Sequence, residues 1–298
     1  MRRVLGCLIL ATVAAILCGC GGAVRNTTKV KREDRRVAKD STKEELLEKY
    51  NAYAEAVKSL NATVELRATT GSEYGSVIDQ YHEVKAFLLA ARPEHIRMIG
   101  QAPVIGKTVF DMTSDGQVFH VSIPTKNKFI VGKVALERTS EKPIENLRPQ
   151  HLVDAVLWPA VHKVEVVLFE ESNDERARYY VLTVLRGGYQ TEISRKIWFD
   201  RRDLEVSRIE TYGPKGALLS DARFADWQPL PGAGEHAGSP EAFPMSIQIA
   251  RPHDDYTLDL AVTKIQLNEN LAAERFQLEQ PAGSELVEVG ESTEKKQP

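Results

Sequence analysis

Cysteine is scarce in this chain, and its distribution is uneven. The three cysteines, Cys7, Cys18 and Cys20, all lie within the first twenty of 298 residues. The chain after residue 20 therefore lacks the thiols that a disulfide framework, a cysteine nucleophile or a cysteine-ligated zinc site would need. The cysteines have to be explained by the N-terminal segment in which they lie.

The motifs of enzymes, metal sites and nucleotide sites are also missing. The seven histidines show no H-x-H or H-E-x-x-H spacing, and the chain contains no G-x-S-x-G elbow, P-loop or dinucleotide-binding glycine pattern. His253, Asp254 and Asp255 stand together where a hairpin turn is expected, and aspartate is common in turns without any metal. The sequence predicts a protein that is not an enzyme and that has no metal ion and no cofactor.

An excess of positive charge is absent as well. The chain has 39 lysine and arginine residues against 42 aspartate and glutamate residues, which gives a formal net charge of −3. Proteins that bind nucleic acids present a basic face to the phosphates, so we expect no nucleic-acid partner. The hydrophobic share of 42% and the charged share of 27% are instead typical of globular domains.

The apolar run at the N-terminus is too short to cross a membrane as a helix. Val4–Leu17 is interrupted by Gly6, Cys7 and Thr12, and it falls below the ~20 residues that a spanning helix needs. Two arginines precede the run, as in an export signal. We therefore predict a cleaved signal peptide over residues 1–19, with an uncleaved N-terminal anchor as the alternative.

The end of this signal, L-C-G-C at residues 17–20, resembles the bacterial lipobox, in which a small residue precedes a cysteine that is lipidated after cleavage. The resemblance implies that Cys20 carries the lipid, because Cys18 would have Leu17 in the small-residue position. Residues 20–41 would then be the lipidated cysteine and a charged tether. Glycine rather than aspartate follows the cysteine, and by resemblance to enterobacterial sorting rules this implies an outer-membrane anchor facing the periplasm.

Two helices are predicted. Thr42 and Glu45 form a capping box, T-x-x-E, and the apolar residues that follow recur at spacings of three and four. This pattern predicts a helix that packs on a sheet. A second helix is predicted over Pro149–Val161, where Pro149 suits the first turn and Pro159 ends the helix.

From Asn61 onward, apolar and polar residues alternate, and Gly, Pro, Asn, Ser and Asp cluster at the breaks. The breaks are too short for crossover helices, so neighbouring strands are expected to pair antiparallel. Strands are predicted over 62–69, 76–92, 95–101, 107–112, 117–123, 128–133, 163–172, 177–186, 191–200, 204–213, 217–227, 243–251 and 256–268.

A sheet of this width has to curl. The predicted fold is mainly β (α+β): a single curled antiparallel sheet that forms an incomplete β-barrel of about eleven to thirteen strands, closed by a few helices. This domain is expected over residues 42–283, and the polar tail over 284–298 is expected to fray.

The order of these patterns resembles the LolA/LolB-type family of lipoprotein carriers and receptors. The resemblance lies in "ARPEHIRMIGQAPVIGKTVFDMTSDGQVFHVSIPTKNKFIVG" and "IWFDRRDLEVSRIETYGPKGALLSDARFADW", and it extends roughly over Leu46–Gly283. Family members bind acyl chains of lipoproteins or lipids in the apolar cavity of an incomplete barrel. Soluble members carry lipoproteins across the periplasm, and lipid-anchored members receive them at the outer membrane. Because this chain has a lipobox, the resemblance implies the receiving type, with a periplasmic LolA-like carrier as a partner.

Two groups of residues are candidates for that function. Val104 and Ile105 are branched apolar residues in a predicted turn, and the resemblance implies that such a loop touches the membrane; the alternative is that both tuck under the barrel rim. Arg97 and Arg195 would meet carbonyls of a covering segment or lipid headgroups, or simply face outward. The inward-facing set that would line the cavity is predicted to be Phe87, Leu89, Phe110, Phe119, Tyr180 and Phe199.

The predicted function is thus an outer-membrane-anchored lipoprotein that binds acyl chains and receives or transports lipoproteins or lipids in the periplasm. The alternative is a structural or assembly lipoprotein whose barrel is filled by its own side chains and which binds another protein. The two differ in whether the inward side chains leave an empty apolar cavity.

Overall fold

The computed structural model describes residues 37–72, 77–135, 146–173, 177–187, 191–230 and 240–289. Cys20, the predicted signal peptide and most of the predicted tether lie outside the described residues. Within them, fifteen strands form one sheet. The strands are β1 Ser59–Ser72, β2 Val77–Gln80, β3 Val84–Ala91, β4 His95–Gln101, β5 Thr108–Ser114, β6 Val118–Ile123, β7 Lys128–Lys133, β8 Val166–Asn173, β9 Arg178–Arg186, β10 Glu192–Asp200, β11 Val206–Tyr212, β12 Leu218–Pro229, β13 Ala242–Arg251, β14 Tyr256–Leu267 and β15 Glu285–Val289.

The strand order across the sheet is β15-β7-β6-β5-β4-β3-β1-β14-β13-β12-β11-β10-β9-β8, and β2 pairs with the end of β1. Two antiparallel meanders, β3 to β7 and β8 to β14, meet at β1, which pairs with both β3 and β14. The sheet therefore has two ends, β15 and β8, and is not closed. The predicted single sheet in an incomplete barrel agrees with this arrangement.

The prediction is wrong in the number of strands and in one pairing. Residues 76–92, expected as one strand, are divided into β2 and β3 by residues 81–83, which belong to neither strand. The polar tail, expected to fray, provides β15, which pairs in parallel with β7 and makes the sheet mixed rather than purely antiparallel. Edge strands present unpaired backbone groups, so even a short polar segment gains hydrogen bonds by adding to one.

The first helix, α1 (Lys43–Ala56), begins at the predicted capping box. The Glu45 backbone N–H donates to the Thr42 hydroxyl over 3.2 Å, and the Thr42 backbone N–H donates to the Glu45 carboxylate over 2.9 Å. The bond from the Thr42 N–H, followed by one from the Ser41 hydroxyl over 2.9 Å, holds the pKa of Glu45 below its ordinary value. Leu46, Tyr50 and Ala54 form the buried stripe that packs on the sheet.

The second helix is shorter than predicted. Pro149–Leu152 forms a 3-10 turn, and α2 is a single turn over Val153–Val156. Proline disfavours helical geometry in the residue before it, so Trp158, which precedes Pro159, does not join the helix. Neither α1 nor α2 is long and apolar enough to span a membrane, and no other helix among the described residues is.

The two faces of the sheet are covered differently. We call the face against which α1 and residues 149–161 pack the inner face, and the opposite one the outer face. The main hydrophobic core lies on the inner face, with contributions from β1, β3 to β5 and β9 to β14. Residues 149–161, which lie between the two meanders in the sequence, cross the inner face, and we call them the crossing segment.

Candidate functional site

An aromatic cluster fills the centre of the inner face. The Trp158 side chain is 2% exposed. Its ring centroid lies 4.2 Å from that of Tyr53, 5.0 Å from Phe224, 5.6 Å from Tyr50 and 6.0 Å from Trp227. Helix α1, strand β12 and the crossing segment thus meet around one indole, which occupies apolar space that a ligand chain would otherwise fill.

Side chains of α1 hold the crossing segment in place through its backbone. The Tyr50 hydroxyl donates to the Pro159 carbonyl over 2.9 Å. Asn51 makes two bonds to Val161, donating to its carbonyl over 3.0 Å and accepting from its N–H over 2.8 Å. Burial raises the pKa of Tyr50, so this phenol stays protonated and remains a donor.

Two arginines on the sheet side complete the attachment. Arg92 donates to the Trp158 carbonyl over 2.8 Å and also to the last carbonyls of α1, those of Ala54 over 2.6 Å and Val57 over 3.0 Å. Arg195 donates to the Ala160 carbonyl over 3.0 Å, but its Nε is buried without a partner among the described residues. Of the interpretations left open for Arg195, contact with the carbonyl of a covering segment is the one observed.

Four of the six predicted cavity residues lie on the inner face. Phe199 pairs across strands with Tyr180, and both belong to the main core. Phe110 and Phe119 lie in the other meander, on β5 and β6, and the Arg148 guanidinium stacks 4.7 Å from the Phe119 ring centroid. The structure thus brings these four together as two separate groups rather than as one lining.

Phe87 and Leu89 lie on the outer face, so the prediction that they point inward is wrong. β3 is apolar on both faces, and its inward residues are Ala86, Leu88 and Ala90. Small residues face the side on which α1 and the crossing segment pack closely. Sequence alternation separates the two sets but does not say which one faces the core.

Three of the four inward aromatic residues are covered by the protein itself, and Phe110 is half-buried. Phe119 and Phe199 are 0% exposed and Tyr180 is 3% exposed to solvent. Side chains that lined an open cavity wide enough for an acyl chain would keep accessible surface. An acyl chain can therefore reach this part of the inner face only if the crossing segment moves.

A buried polar cluster lies where the crossing segment passes the β13–β14 hairpin. His151 Nε2 accepts from Arg251 over 3.3 Å, which leaves Nδ1–H to donate to the Tyr256 hydroxyl, and Arg251 donates to Asp254 over 2.9 Å. Burial, followed by the nearby charges of Arg251 and Arg148, holds the pKa of His151 well below its ordinary value. The imidazole is neutral in this position. Asp254 was predicted to lie in this hairpin turn, but sequence spacing did not indicate that His151 would contact the hairpin.

The outer face carries a charged ladder in place of a second core. Arg208 makes a bidentate pair with Asp221, over 2.7 and 2.9 Å, and Arg223 adds a third bond to the same carboxylate over 3.2 Å. Trp198 donates to Glu210 over 2.9 Å and lies 5.4 Å from the Arg208 guanidinium. Cross-strand pairs of this kind stabilise a sheet face without an apolar cover.

The C-terminal segment crosses the outer face before it reaches β15. Arg97 donates to the carbonyls of Arg275 and Gln277 over 2.9 and 3.1 Å, and Thr113 donates to the Phe276 carbonyl over 2.6 Å. A cleft of about 440 Å³ remains beside this crossing, with His95 and His120 in its wall. No group of three or more His, Cys, Asp or Glu within the described ranges is arranged to hold a metal ion.

The predicted membrane-contact residues lie at the tip of the β4–β5 turn. Val104 is fully exposed at 104% and Ile105 is 73% exposed, so the alternative in which they tuck under the rim is wrong. The Ile105 N–H donates to the Pro103 carbonyl over 2.9 Å, which closes a γ-turn with Val104 at φ 75°. A β-branched residue strongly disfavours positive φ, so the turn holds an apolar side chain in solvent at a conformational cost.

No family model and no curated protein sequence matches the chain. Solved structures do match. A LolA superfamily protein from Nitrosomonas europaea is 15% identical, with 80% of this chain and 99% of that chain covered and a TM-score of 0.46. A putative outer membrane lipoprotein-sorting protein domain from Vibrio parahaemolyticus is 11% identical, with coverages of 78% and 94% and a TM-score of 0.45. A DUF1329 family protein from Desulfovibrio piger is 12% identical, with coverages of 78% and 95% and a TM-score of 0.45.

Proposed function

We propose that this protein is an outer-membrane-anchored lipoprotein, attached through Cys20 and facing the periplasm, that binds the acyl chain of a lipoprotein or lipid on the inner face of its sheet. The observation that carries the proposal is the Trp158 cluster. An apolar face is closed there by a segment that has no strand pairing and whose indole fills the space a chain would need. In this proposal the Trp158 indole occupies the binding site until an acyl chain displaces it.

Exchange between the indole and an acyl chain is energetically reasonable. Taking a chain of about sixteen carbons out of water stabilises it by roughly 12 kcal/mol, at about 0.8 kcal/mol per CH₂. The crossing segment is attached by side-chain hydrogen bonds to its backbone, each with a net contribution of about 1 kcal/mol. Movement of residues 157–161 can therefore be offset by burial of the chain, and the reaction needs no catalytic group.

The β4–β5 turn would bring the inner face to the membrane. Val104 and Ile105 are exposed to solvent, where their apolar side chains add no burial energy to the fold. In the proposal they enter the lipid surface when the protein receives its cargo from a periplasmic LolA-like carrier. The protein is not an enzyme in this proposal, and saturable turnover of a lipid ester by the purified protein would contradict that part of it.

The test is to remove the indole and measure acyl-chain uptake. Trp158→Ala leaves an apolar cavity, and apolar cavities bind apolar ligands of matching size. We expect the variant to bind a fluorescent fatty acid at least about tenfold more tightly than the unmodified protein, since no side chain has to be displaced. Trp198→Ala, which removes an indole from the outer face, is the matched control and should bind like the unmodified protein.

The second candidate is a scaffold lipoprotein with a filled barrel that binds another protein. It is favoured by the complete burial of Phe119 and Phe199 by the protein's own atoms. Native mass spectrometry separates the two candidates. A lipid that copurifies with the unmodified protein, or is taken up by it, supports chain binding, whereas uptake that appears only in Trp158→Ala reports the engineered cavity and favours the scaffold role. If neither form takes up lipid, acyl-chain binding is excluded and the scaffold role remains.

A further inference from the structure

The two edge strands of the sheet, β15 and β8, differ in how well they are protected from pairing with another strand. At one edge, β15 adds to β7, and its short sequence, ELVEV, places Glu285 and Glu288 in solvent. At the other edge, β8 pairs with β9 only, and no other strand within the described residues covers it. The first edge follows the usual protection of edge strands, by shortness and charge.

β8 has less of that protection, since its two carboxylates, Glu170 and Glu171, both lie in its second half. It is eight residues long, and the stretch from Val164 through its last residue contains no lysine, arginine, proline or glycine. Apolar side chains on both of its faces are exposed: Val166 at 54% and Leu168 at 49% on the outer face, and Phe169 at 39% on the inner face. Apolar residues on both faces are typical of a strand whose two faces are both covered in the interior of a sheet.

In one register, two copies of β8 place residues of opposite charge level with each other. Opposite residues of an antiparallel pair point to the same face, so a two-fold axis that continues the sheet must pass between two identical residues. Centring the axis on Glu165, Leu168 or Glu170 brings carboxylates opposite each other, which is unfavourable.

Centring the axis on Val167 has the opposite effect. Val166 then lies opposite Leu168 of the second copy on the outer face. Lys163, in the turn that precedes the strand, comes level with Glu171 of the second copy, and the pair occurs twice by symmetry. Both Lys163 and Glu171 are exposed.

We infer that the protein forms a two-fold dimer in which β8 pairs antiparallel with β8 of a second copy, centred on Val167. The exposed apolar edge and the twofold charge complementarity of this register carry the inference, which is independent of the proposed lipid binding. Two inner faces would then stand side by side in one continuous sheet.

A single introduced cysteine tests the register. In the full chain with Cys7, Cys18 and Cys20 changed to serine, no thiol remains. Val167→Cys places two thiols on the axis, within the distance that a disulfide spans, so mild oxidation should give a cross-linked dimer. Ser172→Cys on the same strand is the control, because its two copies would be about 33 Å apart and should not cross-link.

Sedimentation of the cysteine-free chain tests the contact itself. Val166→Lys with Leu168→Lys should weaken dimerisation at least about tenfold, since each lysine then lies directly opposite a lysine of the other copy, and like charges in that position repel. Lys163→Glu and Glu171→Lys should each weaken it about threefold, and the double variant should recover it. The same two lysines placed at Val104 and Ile105 should leave the dimer intact.

Each possible outcome decides the inference. Cross-linking at residue 167 but not at 172, together with loss of the dimer in the β8 lysine variant, supports it. A monomer at all concentrations overturns it, as does a dimer that survives the β8 lysines. Equal cross-linking at residues 167 and 172 would show association without this register and would also overturn it.

Discussion

The inner and outer faces of the sheet each contain a tryptophan that makes several contacts, but the contacts differ in kind. Trp158 on the inner face is surrounded by four aromatic rings and a crossing segment. Trp198 on the outer face lies among Arg208, Glu210 and Tyr179. One face is closed by apolar packing against distant parts of the chain, and the other by charges on neighbouring strands.

This difference indicates on which face a ligand could take the place of buried side chains. An indole in an apolar cluster can be replaced by another apolar group of similar size, and for Trp158 this costs one hydrogen bond, from its Nε1–H to the Ala155 carbonyl over 3.2 Å. Breaking the outer ladder would leave buried charges without partners, which is costly. The inner face is therefore the one suited to a ligand, and the outer face is suited to holding the strands in register.

The largest expected difference between the faces is in the cost of removing each tryptophan. Trp158→Ala should lower the free energy of unfolding by about 3–5 kcal/mol, because it deletes a fully buried ring at the meeting point of three elements. Trp198→Ala should cost about 1–2 kcal/mol, because its ring is only partly buried and the strands remain paired. Urea unfolding followed by far-UV circular dichroism measures both, and equal losses would contradict the comparison.

The outer ladder can be broken separately. Asp221→Asn keeps the shape of the side chain but removes the charge that Arg208 and Arg223 share, and we expect a loss of about 1–3 kcal/mol. Asp226→Asn, at an exposed carboxylate on the same strand, should change stability by less than about 0.5 kcal/mol. Acyl-chain uptake should be unaffected by either variant; reduced uptake in Asp221→Asn would link the two faces.

Acidification should act on the inner face through His151. Its pKa is lower in the folded protein than in the unfolded chain, so below pH ~6.5 the unfolded chain takes up a proton that the folded protein does not. This group therefore stabilises the fold above pH ~6.5, and its contribution is lost by up to about 1.4 kcal/mol per pH unit as the pH falls.

Comparing unfolding at pH 7.5 and pH 5.5 measures this loss. The free energy of unfolding of the His151→Gln variant should lack this loss between the two pH values. The His120→Gln variant, which is changed on the outer face, should lose as much stability as the unmodified protein. The hypothesis fails if the two variants show the same pH dependence.

The smallest effect on stability is expected at the β4–β5 turn, which neither face covers. Val104→Gly should raise stability by about 0.5–1 kcal/mol, since glycine adopts positive φ without strain. Val104→Asp with Ile105→Asp should reduce binding to anionic liposomes in a flotation assay and leave folding unchanged. Thr125→Asp, in the exposed turn between β6 and β7, is the control and should have little effect on flotation.

Local patterns predicted the elements well because they depend on neighbouring residues. The capping box at Thr42 fixed the start of α1, and alternation located thirteen strand segments that correspond to β1 and β3 to β14. The apolar residues Val104 and Ile105 at the tip of the turn were also predicted, because turn-forming residues on both sides separate them from the neighbouring strands. β15 was missed because its pairing with β7 joins segments more than 150 residues apart.

The sequence by itself determined that the chain forms one wide curled sheet, and it determined which residues alternate on each strand. It did not determine which alternate set is buried, since β3 offers apolar residues to both faces. Only the tertiary structure decided that Ala86, Leu88 and Ala90 face the core and that Trp158 fills it. The physical reason is that a face becomes the inside only when other segments pack on it, and α1 and the crossing segment reach that face from distant parts of the chain.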